Sequence, residues 1–187
     1  MTQFRMMLAL LLGTALCWQP ALADSRWSAA LHLGSTGVDR LIEDDGTWWN
    51  QVDDNTAALG VSLAYEYSPI FGLRVMYEHG AKLAAENRCP PGDACPAIAI
   101  DEEVDFTAWQ IAAVPRLPLG PDWSLFGTLG AMHWELHEDD ILPGDSGTEF
   151  VYGLGLTWRA ERIELGVEYQ RAGIDLDNFR LSLGLRF

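Results

Sequence analysis

Seven charged residues stand where an extended strand would turn them away from its apolar face: Glu66, Arg74, Glu78, Glu164, Glu168, Arg180 and Arg186. Carboxylates and guanidiniums brought together out of water either pair and fill the space between them, or line a path for an ion. Pairing is the plainer account, because an unpaired buried charge is costly. Glu66 and Arg74 flank one turn at similar height. Glu164 and Arg186 sit low on neighbouring strands, and Glu168 and Arg180 sit higher on the same two. The spacing therefore predicts a salt-bridged interior, with a narrow ion path as the sharper alternative.

Three other groups could do chemistry. His133, Glu135, His137 and Ser146 supply a base, a carboxylate and a hydroxyl close in sequence, the materials of a nucleophilic hydrolase. His133 falls on the apolar side of its strand, which argues against that role. Cys89 and Cys95 bracket Pro90-Pro91-Gly92, and in an oxidising compartment they predict a disulfide closing a small loop. Two cysteines alone do not make a metal site, so no metal is expected. Asp44-Asp45, Asp101-Glu102-Glu103 and Asp139-Asp140 could collect divalent cations, but none has the spacing of a calcium-binding loop. They read as solvated, self-repelling loops.

The elements that must hold these residues are strands. In the final stretch Phe179, Leu181, Leu183, Leu185 and Phe187 share one face, while Arg180, Ser182, Gly184 and Arg186 share the other. Such period-two alternation is the mark of a strand. Large apolar side chains on one face with arginine, serine and glycine on the other suit lipid outside and a polar lumen inside. Seven earlier segments repeat the pattern: about 27–34, 57–67, 73–80, 104–114, 123–136, 149–159 and 163–170. Trp109, Ile111 and Ala113 are placed outward and Gln110 inward. The inward set Phe126, Thr128, Gly130, Met132 and Trp134 is less polar than the rest. Between the strands, 37–55, 81–103, 137–147 and 172–177 read as long loops, the first three of them acidic. Ser68–Gly72, Pro115–Asp122 and Ala160–Arg162 read as short turns.

The start of the chain gives an address. Arg5 precedes an apolar run from Met6 to Leu16, and Ala21-Leu22-Ala23 has small residues where a signal peptidase needs them. Cleavage is placed after Ala23, giving a signal peptide at 1–23 and one barrel domain at 24–187. Leu16 before Cys17 is too large for a lipidation site. With 27 acidic against 12 basic residues and a net charge of −15, the chain is unsuited to nucleic acid. No later stretch approaches the roughly 20 continuous apolar residues of a membrane helix. Residence in a bilayer then requires a closed barrel, since only helices and closed barrels satisfy their backbone groups in lipid.

The prediction is an all-β, eight-stranded antiparallel up-and-down transmembrane β-barrel. Its long connections face out of the cell and its short turns face the periplasm, which puts both chain ends on the periplasmic side. Trp27, Tyr67, Trp158 and Phe187 should form the periplasmic aromatic girdle, and Tyr77, Phe150, Tyr152, Tyr169 and Phe179 the outer one. The soluble rival is a lipocalin-like barrel, whose apolar face would point inward. That would leave mostly glycine, alanine and serine outside. These small residues fit better in a narrow lumen.

Residues 125–132 (LFGTLGAM), 166–170 (GVEYQ) and 177–187 (DNFRLSLGLRF) resemble the transmembrane domain of the outer-membrane protein A family. The likeness covers the second half of the chain well and the first half in layout. It implies an outer-membrane barrel with no cofactor and no nucleic-acid partner. Outer-membrane lipid, lipopolysaccharide and the barrel-assembly machinery are its implied partners, Phe187 is the implied carboxy-terminal assembly signal, and the barrel is a monomer. The family's larger members continue into a peptidoglycan-binding domain, whereas this sequence stops at Phe187, so a wall-tethering role is not expected. Thr128 stands where the family often has a luminal arginine. Some small barrels of this membrane modify lipid A, but no histidine here lies two residues from a serine, as the deacylase type needs. The resulting reading is a non-enzymatic structural or surface-interacting barrel with a polar plugged lumen, with a narrow pore and a lipid A-modifying enzyme as alternatives.

Overall fold

The computed structural model describes residues 26–44, 48–88, 102–137, 145–173 and 176–187. The expected signal peptide, Cys17, Cys89, Cys95, Asp45, Asp101 and Asp139-Asp140 lie outside these residues. Eight strands follow in order: β1 (Trp27–Asp44), β2 (Trp48–Ser68), β3 (Phe71–Arg88), β4 (Glu102–Pro118), β5 (Trp123–Leu136), β6 (Asp145–Ala160), β7 (Ile163–Ala172) and β8 (Leu176–Arg186). Each pairs antiparallel with the next, and β8 pairs with β1, closing the barrel. Closure leaves no edge strand, so the wall satisfies its own backbone donors and acceptors.

The tight turns gather at one end. Ser68 and Phe71 face each other across the β2–β3 turn. Glu161 takes a left-handed φ of 51° to reverse the chain between β6 and β7. The same end is stitched by Glu66 N to Arg26 O (2.6 Å), Arg186 N to Arg162 O (2.8 Å) and Phe187 N to Trp27 O (3.0 Å). The β4–β5 ladder keeps its register but is interrupted between Ala113/Leu129 and Arg116/Phe126, at Pro115, which has no N–H to give.

Around the outside runs an apolar band. Leu31, Leu63, Leu73, Ile111, Leu154, Leu165 and Leu183 are all exposed. A soluble protein would not leave so continuous an apolar surface bare. Aromatics border it on both sides, as the alternation predicts. Trp27 packs at a tilt against Tyr65 at the tight-turn end (centroids 4.9 Å apart), and Tyr77 against Trp109 at the other (4.7 Å).

The strands are longer than the sequence pattern suggests. The expected loop at 37–55 is largely ladder, from Gly37↔Asn55 up to Asp44↔Trp48. The expected loops at 81–103 and 137–147 likewise give up their ends to β3, β4 and β6. The reason is a change of solvent. Above the apolar band the outer face meets water, so the alternation inverts: His133, Glu135 and His137 point out while Met132, Trp134 and Leu136 point in and are buried. Val38, Leu83, Phe106, Val151 and Leu176 join them in one luminal apolar cluster. The wall is inside-out at band height and has ordinary soluble polarity above it.

That boundary is testable. Leu183→Arg, in the middle of the band, should cost about 2–4 kcal/mol in urea unfolding from lipid vesicles, whereas His137→Arg, above it, should cost about 0–1. Equal costs would mean that the band is not the lipid-facing surface.

Candidate functional site

The lumen at band height is polar, and its side chains come from all eight strands. Alternation sends Glu66, Arg74, Glu78, Glu164, Glu168, Arg180 and Arg186 inward, and their charges meet in two layers. In the upper layer Arg180 grips Glu78, with Nη2 and Nε each 2.6 Å from Oε2. Thr36 Oγ1 donates to the other oxygen of Glu78 at 2.6 Å. Arg74 Nη2 reaches Glu168 Oε1 at 2.7 Å and Thr128 Oγ1 at 3.1 Å, and Thr128 donates to Glu168. Gln170 joins the pairs: its carbonyl accepts from Arg180 Nη1, and its amide donates to Glu168 at 2.6 Å. One connected network thus crosses the barrel from β1 and β3 to β5, β7 and β8.

These partners differ from those the spacing suggests. Glu168 and Arg180 oppose each other on the β7–β8 ladder, yet each pairs across the lumen instead, with Arg74 and with Glu78. Long inward side chains extend away from their own wall and meet those of the far wall. Glu66, expected beside Arg74, is held by Arg186 (3.0 Å) and Arg159. Glu164, expected beside Arg186, is held by Arg159 at 2.8 Å.

Two arginines of this lower layer were not among the expected charges. Arg159 lies on the inward face of β6, so alternation alone could have found it. Arg116 lies between Pro115 and Pro118, in a stretch that reads as a turn but forms the end of β4. Small residues make room for the large luminal ones. A Cβ on Gly155 would run into the Phe126 ring, and one on Gly147 would come 2.7 Å from Trp134.

Outside the barrel, His133 Nδ1 lies 3.0 Å from Thr148 Oγ1 and Nε2 lies 3.3 Å from Glu135 Oε1. Ser146 opposes Glu135 rather than His133. Among the described residues no three histidine, cysteine or acidic groups are placed to hold a metal ion. Phe187 is exposed at the tight-turn end, with its backbone bonded to Trp27.

Breaking the upper network should be expensive, since each removal strands a buried charge. Glu78→Ala and Arg180→Ala should each lower unfolding stability by about 3–5 kcal/mol. The double variant should cost clearly less than their sum, because neither charge then remains unpaired. Additive losses in urea titrations would show that the pair is not coupled.

The outer membrane protein beta-barrel domain profile matches residues 8–187. Outer membrane protein A of Klebsiella aerogenes is 23% identical over 197 residues, covering 95% of this chain. The match takes in 52% of that relative, so the chain spans about half its length. Among solved structures, OprG of Pseudomonas aeruginosa has a TM-score of 0.57 at 13% identity, covering 87% of this chain and 97% of that one. Ail, the attachment invasion locus protein of Yersinia pestis, has a TM-score of 0.51 at 18% identity, covering 87% and 99%. The N-terminal β-barrel domain of Pseudomonas aeruginosa OprF has 0.53 at 14%, covering 87% and 98%. Closed eight-stranded wall, lipid-facing band and profile agree: this chain belongs to the outer membrane protein beta-barrel domain family and resides in the cell outer membrane.

Proposed function

We propose that the protein is a plugged, non-enzymatic barrel whose work is structural and surface-interacting. The observation that carries this is the connected network of Thr36, Glu78, Arg180, Gln170, Glu168 and Arg74 lying beneath a luminal apolar cluster. An ion entering the lumen would have to displace charge-assisted hydrogen bonds and then cross a dry layer around Trp134 and Phe106. The pore alternative lacks that free path.

With the lumen filled, partners must be met at the ends. Five arginines (Arg74, Arg116, Arg159, Arg180 and Arg186) are drawn into the lumen out of only 12 basic residues in the chain. The long hairpins keep most of the 27 acidic residues. On this reading they present a negative surface outside the cell, next to lipopolysaccharide, where divalent cations or cationic partners are favoured. The Ail structure contains a heparin analogue, sucrose octasulfate. A polyanion of that kind is a poor match for the acidic hairpins here. The signal at 1–23, the Cys89–Cys95 disulfide, the assembly role of Phe187 and a monomeric state belong to the same proposal.

A second reading rests on the Thr148–His133–Glu135 row at the lipid-water boundary, which holds a hydroxyl, an imidazole and a carboxylate in line. It predicts loss of an acyl chain from lipopolysaccharide that His133→Ala abolishes. On the preferred reading, lipopolysaccharide recovered with and without the protein has the same mass.

Conductance tests the plug. In planar bilayers the wild-type protein should give no steady channel. A triple variant, Glu78→Ala, Arg180→Ala and Trp134→Ala, should open one, provided that it still shows the heat-dependent gel shift of a closed barrel. Steady conductance by the wild type would overturn the plugged reading.

A further inference from the structure

The two charged layers of the lumen are not alike. Above, Arg74 and Arg180 are matched by Glu168 and Glu78. Below, at the tight-turn mouth, three guanidiniums meet two carboxylates. Glu66 is occupied by Arg186 on Oε2 and Arg159 on Oε1, and Glu164 by Arg159 on Oε2. Arg116 is the surplus cation. Its Nη1 stands 3.4 Å from Glu66 Oε1 and 3.7 Å from Glu164 Oε2, close enough to feel both charges. Yet Nε and Nη1 meet no acceptor in hydrogen-bonding geometry. The side chain is only 6% exposed, so bulk water does not serve those hydrogens.

A guanidinium desolvated to this degree, with two donors unserved in a layer whose other charges cancel, is a receptor for an oxyanion. Either unserved N–H can give a charge-assisted hydrogen bond to an oxygen of carboxylate or phosphate. The neighbouring cations are within the same mouth and more open, with Arg159 19% and Arg186 29% exposed, so an anion could enter from the tight-turn side. It could go no further, because the balanced layer and the apolar cluster lie above it. We propose that the periplasmic mouth of the barrel binds a small oxyanion, with Arg116 as the principal donor and Arg159 and Arg186 completing the positive rim. This site is independent of what the hairpins do outside the cell.

The test uses the full mature barrel refolded in detergent micelles, with its heat-dependent gel shift as the check on folding. Inorganic phosphate is titrated at constant ionic strength against a chloride reference, and binding is followed by phosphorus NMR line width. Wild type should show saturable binding that chloride does not mimic. Arg116→Gln should weaken it by about tenfold or more, the scale of losing charge-assisted hydrogen bonds. Arg116→Lys should retain part of it as a point charge. Glu66→Gln should strengthen it, because it releases Arg159 and Arg186 from a competing carboxylate. No saturable binding by the wild type, or equal binding by Arg116→Gln, would overturn the proposal. If Arg116→Gln does not fold, Glu66→Gln decides alone: unchanged or weaker phosphate binding then rules the site out.

Discussion

Everything in this molecule depends on one constraint: inside a bilayer no backbone N–H or C=O can be left to water. A sheet meets it only by closing, which is why β8 returns to β1 over an unbroken register from Ser28↔Arg186 to Val38↔Leu176. Closure then dictates the side chains. Successive residues must alternate between lipid and lumen, so every apolar residue needed outside brings a neighbour inside. A narrow lumen accepts small residues easily and large polar ones only if they satisfy each other. The network through Gln170 is that second condition met, with each of its links charge-assisted.

The same wall crosses into water and keeps its hydrogen bonds while exchanging its faces. On β5 the residues below the crossing put Leu125 and Leu129 out and Thr128 in. Above it they put Glu135 out and Trp134 in. The soluble-barrel polarity that excludes itself at band height is therefore the correct description of the upper wall. An apolar filling there contributes burial that the polar lumen cannot, and it holds together the described upper lengths of the strands.

How much of this could be read beforehand follows from that crossing. The eight strands and their inward faces were legible because lipid outside and polar lumen inside reinforce one alternation. β5 was read at its observed bounds, Trp123–Leu136, because the alternation itself runs unbroken through it. In the hairpin of β1 and β2 the apolar alternation gives out at about Gly34 and Ala57. Beyond them, polar residues at outward positions imitate a loop when the outer face is assumed to be lipid. Val38 was the available clue, an isolated apolar residue in phase with His32 and Thr36. The charges were legible as a set and not as pairs. Register names neighbours along the wall, as with Glu168 and Arg180, whereas the bonds run across the space the wall encloses. Arg116 is hidden by its prolines, which signal a turn in a soluble sheet, but here Pro115 sits at a gap in the β4–β5 ladder and Pro118 in its last pair.

A barrel folded this way has little surface left for function. Its outer face is committed to lipid and, on the plugged reading, its lumen to its own charges and apolar filling. What remains is the two ends, and their charges are arranged differently. The hairpin rim keeps the acidic surplus that gives the chain its net charge of −15. The tight-turn mouth holds three arginines against two glutamates. Among the described residues the lumen at band height sets five arginines against Glu66, Glu78, Glu164 and Glu168, so it nearly neutralises itself and the acidic excess of the chain lies outside it. The net charge is thus a property of the surface: a narrow interior cannot carry it, because each buried charge there needs its opposite.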